Sequence, residues 1–289
     1  MEMSNMIRLA TYNILDPYYA VKWGDHAGLN DAGKECSPVA RKASTNDDTW
    51  RKYSNWEETR CFEVAENIRW ADIVCLQEVS SETIAKLEQL LPDFAVANVA
   101  YHANDRPDSF GTAIVYRKDV VTLNSAFQID HGSLANRRAA SCGLFDFNGH
   151  ILKVVSIHLK GYSPDETDYT KKQETKKSGF QELSKYIKEI HGSELNDVDV
   201  IVIAGDLNED PREKDLPFYR PGLLETYCYL SDGSLEVTEP TKGRRIDWLF
   251  CRLLSVEHGM NLTSMALEKK QTPASDHLMT GSFLEFIEH

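Results

Sequence analysis

Long apolar runs and paired cysteines are both missing from this sequence. No uninterrupted hydrophobic stretch approaches the ~20 residues that a membrane-spanning helix needs, and residues 1–6 contain no basic cluster followed by an apolar segment. The six cysteines include no C-x-x-C pair, and most of them lie inside apolar segments. These absences argue against membrane insertion and secretion, so we expect a cytoplasmic protein with reduced, mostly buried thiols.

Positive charge is also scarce, because 32 Lys and Arg stand against 45 Asp and Glu and leave a formal net charge of −13. This balance argues against a protein that coats long nucleic-acid duplexes through a broad basic surface. It is compatible with a nucleic acid cut in a local cleft, where a metal held by acidic residues supplies the positive charge. The pair Arg137-Arg138 is a basic cluster that either lies on a solvated surface or binds substrate.

Three catalytic signatures are absent as well. The chain has no G-x-S-x-G elbow, no G-x-x-x-x-G-K-[ST] phosphate loop and no H-E-x-x-H helix, so serine hydrolases, P-loop NTPases and zincins lack their residues here. Internal repeats, low-complexity tracts and Pro/Ser-rich linkers are missing too. We therefore expect a single domain over residues 1–289, acting as a monomer, in which the polar segment 16–55 forms a long loop or lid.

The sequence does contain a series of apolar, β-branched runs and three helical patterns. Helical periodicity occurs over 58–70, 81–91 and 169–190, and Asn148-Gly149 between two strand-like runs predicts a hairpin. Hairpin pairs beside strand–helix–strand units predict an α/β fold with mixed sheets. The predicted strands are 7–13, 72–77, 112–116, 143–147, 152–158, 198–204, 246–251 and 278–286.

Polar side chains lie at or beside the ends of most of these runs. Asp206 and Asn208 follow the run 198–204, where a carboxylate and an amide two residues apart can point the same way, one toward water or metal and one toward phosphate. A single residue of this kind is usually turn chemistry, but its recurrence on most strands indicates a site for metal-assisted phosphate-ester hydrolysis. The set is Asn13, Glu78, His158, Asp206, Asn208, Asp247, Asp276 and His277.

Six short motifs carry these residues in one order along the chain: Thr11-Tyr12-Asn13, Leu76-Gln77-Glu78-Val79, His158-Leu159, Gly205-Asp206-Leu207-Asn208, Arg245-Ile246-Asp247-Trp248 and Ser275-Asp276-His277. Any one of them alone is a weak signal. Together they resemble the endonuclease/exonuclease/phosphatase superfamily, which holds DNase I-like nucleases, abasic-site endonucleases, deadenylases and inositol-phosphate phosphatases. The resemblance implies a four-layer α/β/β/α sandwich in which two mixed sheets pack face to face.

The resemblance also implies a metal centre. Glu78 would bind Mg²⁺ or Mn²⁺, with Asn13 and Asp276 nearby, since hard oxygen ligands favour Mg²⁺ that keeps several waters. Asp206 would orient or deprotonate the attacking water, and Asn208 would hold the phosphate.

Two histidines complete the implied machinery. His158 and His277 would stabilise the charge that develops on the phosphoryl group. Asp247 would act by holding the imidazole of His277. Which group acts as the general base is left open.

Within the superfamily, the deadenylase and nocturnin-like branch is most similar, through Tyr12-Asn13-Ile14-Leu15 and through the segment 56–60 ahead of a helix and the stretch 71–78. This implies a 3′-to-5′ exoribonuclease acting on RNA, or an enzyme acting on nucleotides. Deadenylases of this type stack adenine on an aromatic residue just before the Ile-Asp motif, and residues 241–245 contain none. Stacking would then fall to Trp23, Trp50 or Tyr162.

Three alternatives stay open: a phosphatase acting on a nucleotide or inositol phosphate, an abasic-site DNA endonuclease, and a catalytically idle relative that only binds. The Pro-Ala-Trp-type segment of inositol phosphatases is missing before Ile246. The acidic balance and the long lid suit an abasic-site endonuclease less well. An idle relative would be expected to have lost Glu78, Asp206 or His277, and all three are present.

Overall fold

The computed structural model describes residues 5–15, 60–102, 110–129, 138–161, 167–192, 197–210, 228–229, 238–239, 244–254, 260–261, 275 and 277–286. The expected lid, 16–55, lies outside these residues, as do the site candidates Arg137, Tyr162 and Asp276 and the tryptophans Trp23 and Trp50. None of the helices in the described part of the chain is long and apolar enough to cross a membrane.

Twelve strands and three helices make up the described residues. The helices are α1 (Cys61–Ile68), α2 (Ser81–Leu90) and α3 (Tyr169–Gly192). The strands are β1 (Met6–Asn13), β2 (Ile73–Val79), β3 (Phe94–Tyr101), β4 (Gly111–Arg117), β5 (Thr122–Ile129), β6 (Ala140–Phe147), β7 (His150–His158), β8 (Val200–Asp206), β9 (Cys228–Tyr229), β10 (Asp247–Leu253), β11 (Met260–Asn261) and β12 (Thr280–Phe286).

These strands form two six-stranded sheets, the first in the order β11-β12-β1-β2-β4-β3 and the second in the order β5-β6-β7-β8-β10-β9. Both are mixed, as predicted: β1 is parallel to β2, β7 is parallel to β8, and the other described pairs are antiparallel. Parallel neighbours end at the same edge of a sheet. The strand ends that carry polar residues are therefore brought together.

Hydrophobic packing defines four layers. Val64 and Ile68 of α1 and Leu87 of α2 pack with Val74 and Leu76 on the outer side of the first sheet. A second cluster fills the space between the two sheets, and it contains Ile7, Leu9, Ile114, Val154, Val202 and Leu249.

The outer side of the second sheet has its own cluster, in which Ile190 of α3 packs with Val155, Ile201 and Ile203. Every residue of β8 is buried, because this strand has the first sheet on one face and the α3 cluster on the other. The layers are thus α1 and α2, the first sheet, the second sheet and α3, which confirms the α/β/β/α sandwich.

A polar link crosses the interior between the sheets, directly behind the motif residue Glu78. Gln77 of β2 is fully buried; its Oε1 accepts a hydrogen bond from Thr11 Oγ1 at 3.1 Å and its Nε2 donates to Ser156 Oγ of β7 at 3.2 Å. Because buried amides are costly unless paired, this link restricts how the two sheets can sit against each other at this level.

The predicted hairpin is confirmed. β6 and β7 pair antiparallel from Ser141↔Ser156 to Phe147↔His150, and both turn residues have positive φ, 54° for Asn148 and 87° for Gly149. Positive φ at both central positions is the geometry of the two-residue turn for which Asn-Gly is preferred. The Asp146 carboxylate accepts the Gly149 N–H at 2.9 Å and stabilises this turn.

The predicted strands did not include β3 or β5, although residues 94–101 of β3 are mostly apolar. β5 is mostly exposed along its length, and β3 is only half-buried at most positions. Each lies at the edge of its sheet, where a strand has one partner and can carry polar residues on the open side. Among the described cysteines, Cys61, Cys75, Cys142 and Cys251 are buried and form no disulfide, as predicted.

Candidate active site

Three of the predicted site residues form a row across the second sheet. In the register of the strands, His158 of β7 lies beside Asp206 of β8, and Asp206 lies beside Asp247 of β10. Side chains at matched positions on neighbouring strands point to the same face. All three are at least nine-tenths buried, so the two carboxylates and the imidazole share one poorly hydrated space.

The close approach of β8 to β7 just before Asp206 depends on a glycine. Gly205 has φ 152°, and a Cβ at this position would collide with the carbonyl oxygen of Ile157 on β7. Asn208 follows with φ 51°, and its N–H donates to Asp206 Oδ1 at 2.7 Å while its Nδ2 donates to the Leu159 carbonyl at 2.9 Å. The Gly-Asp-Leu-Asn motif thus aims the Asp206 carboxylate and ties Asn208 to the strand end that carries His158.

The first sheet supplies Asn13 and Glu78. The Asn13 amide donates from Nδ2 to Glu78 Oε1 at 3.1 Å and to Asp206 Oδ2 at 3.2 Å, so this one side chain links carboxylates from both sheets. Its Oδ1 accepts the Leu15 N–H at 3.1 Å, which turns the amide nitrogen rather than the oxygen toward the carboxylates. Glu78 has φ 58° at an irregularity in the β2–β4 pairing, a local twist that redirects its side chain.

His277 is held by Asp247 and by Ser275. His277 Nδ1 lies 2.8 Å from Asp247 Oδ2, and the opposite nitrogen, Nε2, lies 4.0 Å from Asp206 Oδ2. Ser275 accepts the His277 N–H at 3.2 Å and donates from Oγ to the Asn13 carbonyl at 2.7 Å. The Asp-His pair therefore presents Nε2 to Asp206.

His158 faces the carboxylates from the other side. Its Nε2 is 3.6 Å from Asp206 Oδ2 and 4.0 Å from Glu78 Oε1. Burial holds the pKa of His158 well below its ordinary value, and the charges of Arg138, His102 and His277 lower this pKa further. A neutral imidazole can donate one hydrogen bond without adding a charge to the site.

The pKa of Asp206 is raised to about 7, mainly because burial disfavours the charged form and because the Asp247 charge lies close by; His277 opposes this shift. Crowding of carboxylates in a dry site is the usual physical origin of such a shift. A carboxyl group with a pKa near 7 is matched to proton transfer at neutral pH, and strongly shifted groups cluster at functional sites.

The donor set fits a divalent cation. Asp206, Asp247 and His277 each offer a ligand atom, all within 4.8 Å of one another. Asp247 Oδ1 is buried and has no hydrogen-bond partner in the described part of the chain, and Glu78 keeps 18% of its side chain exposed. Carboxylate oxygens around a space reached by solvent suit hard divalent cations. The buried carboxylates would otherwise repel one another, which a bound cation relieves.

Two lysines lie next to Asn208, one of them from the basic cluster Lys171-Lys172 with Lys176-Lys177, for which the sequence favours a solvated helix face. A small pocket there is lined by Leu159, Lys160, Lys176, Gly179, Leu207, Asn208 and Glu209. Lys176 of α3 is buried to 7% exposure, whereas Lys160 is exposed. Cationic side chains beside the site provide attraction for a substrate with several negative charges.

The structure therefore brings together Asn13, Glu78, His158, Asp206, Asn208, Asp247 and His277, seven of the predicted site residues. Of the two predicted basic contacts, Arg138 is described; its guanidinium donates to the His158 carbonyl at 3.2 Å. This contact is within the protein and supports the strand end that carries His158.

Sequence reasoning missed Thr238 and His102. Thr238 Oγ1 accepts the N–H groups of Ile246 and Asp247, at 3.0 and 3.1 Å, and so fixes the start of β10. His102 accepts the Ala139 N–H at Nδ1, 3.1 Å away, and its ring centroid lies 5.8 Å from that of His158. Thr238 belongs to no motif and ends no apolar run, so no sequence signal marks it. His102 follows the apolar run 94–101, and the strand-end signal could have found it.

Comparison with known families gives one match, to the model of the Endonuclease/Exonuclease/phosphatase family, over residues 51–277. No curated protein sequence matched the chain.

Solved structures with the same fold include an endonuclease/exonuclease/phosphatase from Bacteroides vulgatus, at 17% identity and a TM-score of 0.64, covering 98% of this chain and 99% of that one. A D. rerio TDP2 humanized by 14 mutations has 15% identity and a TM-score of 0.60, covering 98% of this chain and 100% of that one. The mannosyl-6-phosphatase Bt3783 from Bacteroides thetaiotaomicron has 15% identity and a TM-score of 0.59, with the same coverage of 98% and 100%.

Proposed function

Because the chain belongs to the endonuclease/exonuclease/phosphatase family, we propose that it is a Mg²⁺-dependent phosphodiester hydrolase that shortens RNA from the 3′ end. The hydrolase activity is proposed from one observation, which is that three groups surround the Asp206 carboxylate within 4.0 Å. They are the amide of Asn13 on β1, the imidazole of His158 on β7 and the imidazole of His277. Such convergence of a buried carboxylate, two histidines and an amide is the arrangement that phosphoryl transfer to water requires.

In this proposal Asp206 is the group that orients the attacking water and takes its proton, since its pKa of about 7 allows it to be ionised and still basic. Neutral His158 donates a hydrogen bond to a phosphoryl oxygen. His277, which Asp247 holds through Nδ1, donates from Nε2 in its doubly protonated form. Asn208, in the turn after β8, holds the phosphate. Its Nδ2 group has two hydrogens; one is donated to the Leu159 carbonyl, and the other is available to a phosphate oxygen.

Glu78 is proposed to hold the cation, with Asn13 and Asp276 nearby, while the Asn13 amide keeps the Glu78 and Asp206 carboxylates in place. When bound, Mg²⁺ supplies positive charge to the phosphate and offsets the repulsion between the carboxylates. Mn²⁺ has similar preferences for ligands and is expected to substitute.

The polynucleotide part of the proposal is supported by charge next to the site. Lys160 and Lys176 line the pocket beside Asn208 and provide positive charge near the reacting phosphate. Arg137 and Tyr162 are proposed as further substrate contacts, through charge and base stacking respectively. The phosphatase reading competes with this one, since Bt3783, with the same fold, is a mannosyl-6-phosphatase.

Hydrolysis of a small substrate panel tests the proposal. The panel contains 3′-labelled and 5′-labelled oligo(A), mixed-sequence RNA, abasic duplex DNA, an inositol polyphosphate and NADPH, each with Mg²⁺ or EDTA. Asp206→Asn is the inactive variant. Asp199→Asn is its matched control, because Asp199 precedes the same strand and its carboxylate accepts the Ile151 N–H at 2.8 Å, at the opposite end of the sheet.

We expect Mg²⁺-dependent shortening of RNA from the 3′ end by the wild type and by Asp199→Asn, and none by Asp206→Asn. Release of phosphate from NADPH or the inositol polyphosphate alone would support the hydrolase activity. It would show that the substrate is a phosphomonoester and not RNA. Cleavage of abasic DNA alone would indicate an endonuclease. No turnover of any substrate by the wild type would leave binding as the function.

A further inference from the structure

A buried arginine binds the backbone at the end of β1, next to the site residue Asn13. Arg60, directly before α1, is 1% exposed. Its Nη1 donates to the Ile14 carbonyl at 2.9 Å and its Nη2 to the Leu15 carbonyl at 2.5 Å. A guanidinium is the side chain whose rigid fork can bind two successive carbonyls at once.

The backbone that Arg60 holds is in an uncommon conformation. Leu15 has φ 55°, a region that residues with a Cβ seldom occupy, and it is buried to 4% exposure. In this conformation the Leu15 N–H turns back and donates to Asn13 Oδ1 at 3.1 Å. The carbonyls that Arg60 binds and the N–H that orients Asn13 therefore belong to the same short turn.

A continuous chain of hydrogen bonds runs from Arg60 to the carboxylates. Arg60 fixes Leu15, Leu15 fixes the oxygen of the Asn13 amide, and the nitrogen of that amide then faces Glu78 Oε1 and Asp206 Oδ2 at 3.1 and 3.2 Å. With the turn released, the Asn13 amide could rotate by half a turn and place its oxygen against two carboxylates. That orientation would be repulsive.

We infer that Arg60 is a positioning residue, which fixes the orientation of the Asn13 amide and thereby the distance between Glu78 and Asp206. The consequence for catalysis rests on the proposed function, whereas the coupling between Arg60 and Asn13 does not. Because the effect passes through Asn13, removing Asn13 removes what Arg60 acts on.

A double-mutant cycle on activity tests this inference. Arg60→Met keeps the bulk of the side chain and removes both donors. In the wild-type background we expect kcat to fall by about 10- to 100-fold with KM changed less than about twofold, since small displacements of reacting groups are this costly. In the Asn13→Ala background the same substitution should lower kcat by less than about threefold. Arg60→Lys, which keeps the charge and can reach one carbonyl, should restore part of the loss.

Thermal unfolding of the same four proteins without metal or substrate gives a readout that does not need activity. We expect the shifts in Tm of Arg60→Met and Asn13→Ala to be non-additive. The control is Arg8→Met, because Arg8 also ties β1 to a neighbour, through hydrogen bonds to Asp72 of 2.7 to 3.0 Å, but at the opposite end of the strand. Arg8→Met and Asn13→Ala should be additive.

The outcomes are distinct. Equal losses of kcat from Arg60→Met in both backgrounds, or additive Tm shifts in the unfolding cycle, would overturn the inference. If Arg60→Met does not fold, the two cycles are run with Arg60→Lys and decided by the same criteria. If the wild type turns over no substrate, the proposed function fails, and the unfolding cycle still decides whether Arg60 positions Asn13.

Discussion

Asp206 is subject to opposite demands from stability and from chemistry. Its pKa of about 7 lies far above the ordinary value of 3.8, mainly because of burial and Asp247, so the folded protein holds the proton more tightly than the unfolded chain does. The contribution of this group to stability is therefore lost as pH rises from about 4 to about 7, and stays lost above that range. A site selected for stability alone would not contain this carboxylate.

We expect Asp206→Asn to abolish hydrolysis and to stabilise the metal-free protein at pH 8, by on the order of 2 kcal/mol, because Asn cannot ionise. The gain should shrink on going from pH 8 to pH 4, where the wild-type carboxyl is protonated in the folded state. Denaturant unfolding at several pH values in EDTA measures both effects. A gain in stability that does not vary with pH would contradict this explanation.

Asp247 has a different task, which depends on one hydrogen bond. Its Oδ2 lies 2.8 Å from His277 Nδ1, which holds the ring so that Nε2 faces Asp206. Asp247→Asn should therefore lower kcat by roughly 100-fold while KM changes little. Asp146→Asn, near the end of β6 beside its turn to β7, is the control and should retain wild-type kcat. Equal activity of the two variants would show that His277 does not need this partner.

At the scale of elements, substitution by alanine should have opposite effects on stability at Gly149 and at Gly179. Gly149 has φ 87° with open space around it, so Gly149→Ala should cost about 1 kcal/mol through backbone conformation alone. Gly179 lies inside α3, where an added Cβ meets Leu159 Cβ and the Lys160 carbonyl at an ordinary 3.9 Å. Gly179→Ala should stabilise the protein by about 0.5–1 kcal/mol. Urea unfolding measures both, and a loss for Gly179→Ala would contradict the helix assignment.

The whole molecule is held together partly at its site, because the acidic groups there come from both sheets. Glu78 belongs to the first sheet, while Asp206 and Asp247 belong to the second. A cation bound between them favours the folded state only, and at a concentration of 100 times its Kd it should add about 2.7 kcal/mol to the free energy of unfolding. Mg²⁺ should therefore raise Tm of the wild type and have little effect on Glu78→Gln.

The control for this metal effect is Glu82→Gln, in the first turn of α2. Its Tm should respond to Mg²⁺ as the wild type does. A response of the same size in Glu78→Gln would place the cation elsewhere.

Local sequence was enough to predict two kinds of element: strands that are buried on both faces, and hairpins whose turn residues favour one turn type. β8 was readable because all of its residues are buried, and the β6–β7 hairpin because Asn148-Gly149 prefers its turn. β5 was not readable, since a polar edge strand is specified by the neighbour it pairs with. β3 was missed although residues 94–101 are mostly apolar. The motifs predicted which residues would meet, because each lies at or beside one end of a strand.

What the sequence by itself determined, then, is the set of strand ends and the identity of the reactive groups on them. Only the tertiary structure decided how those groups face one another. The register that sets His158, Asp206 and Asp247 side by side, and the turn through which Arg60 orients Asn13, depend on contacts between residues far apart in the chain. Hydrogen-bond partners and burial, which set the pKa of Asp206, exist only after the sheets have packed.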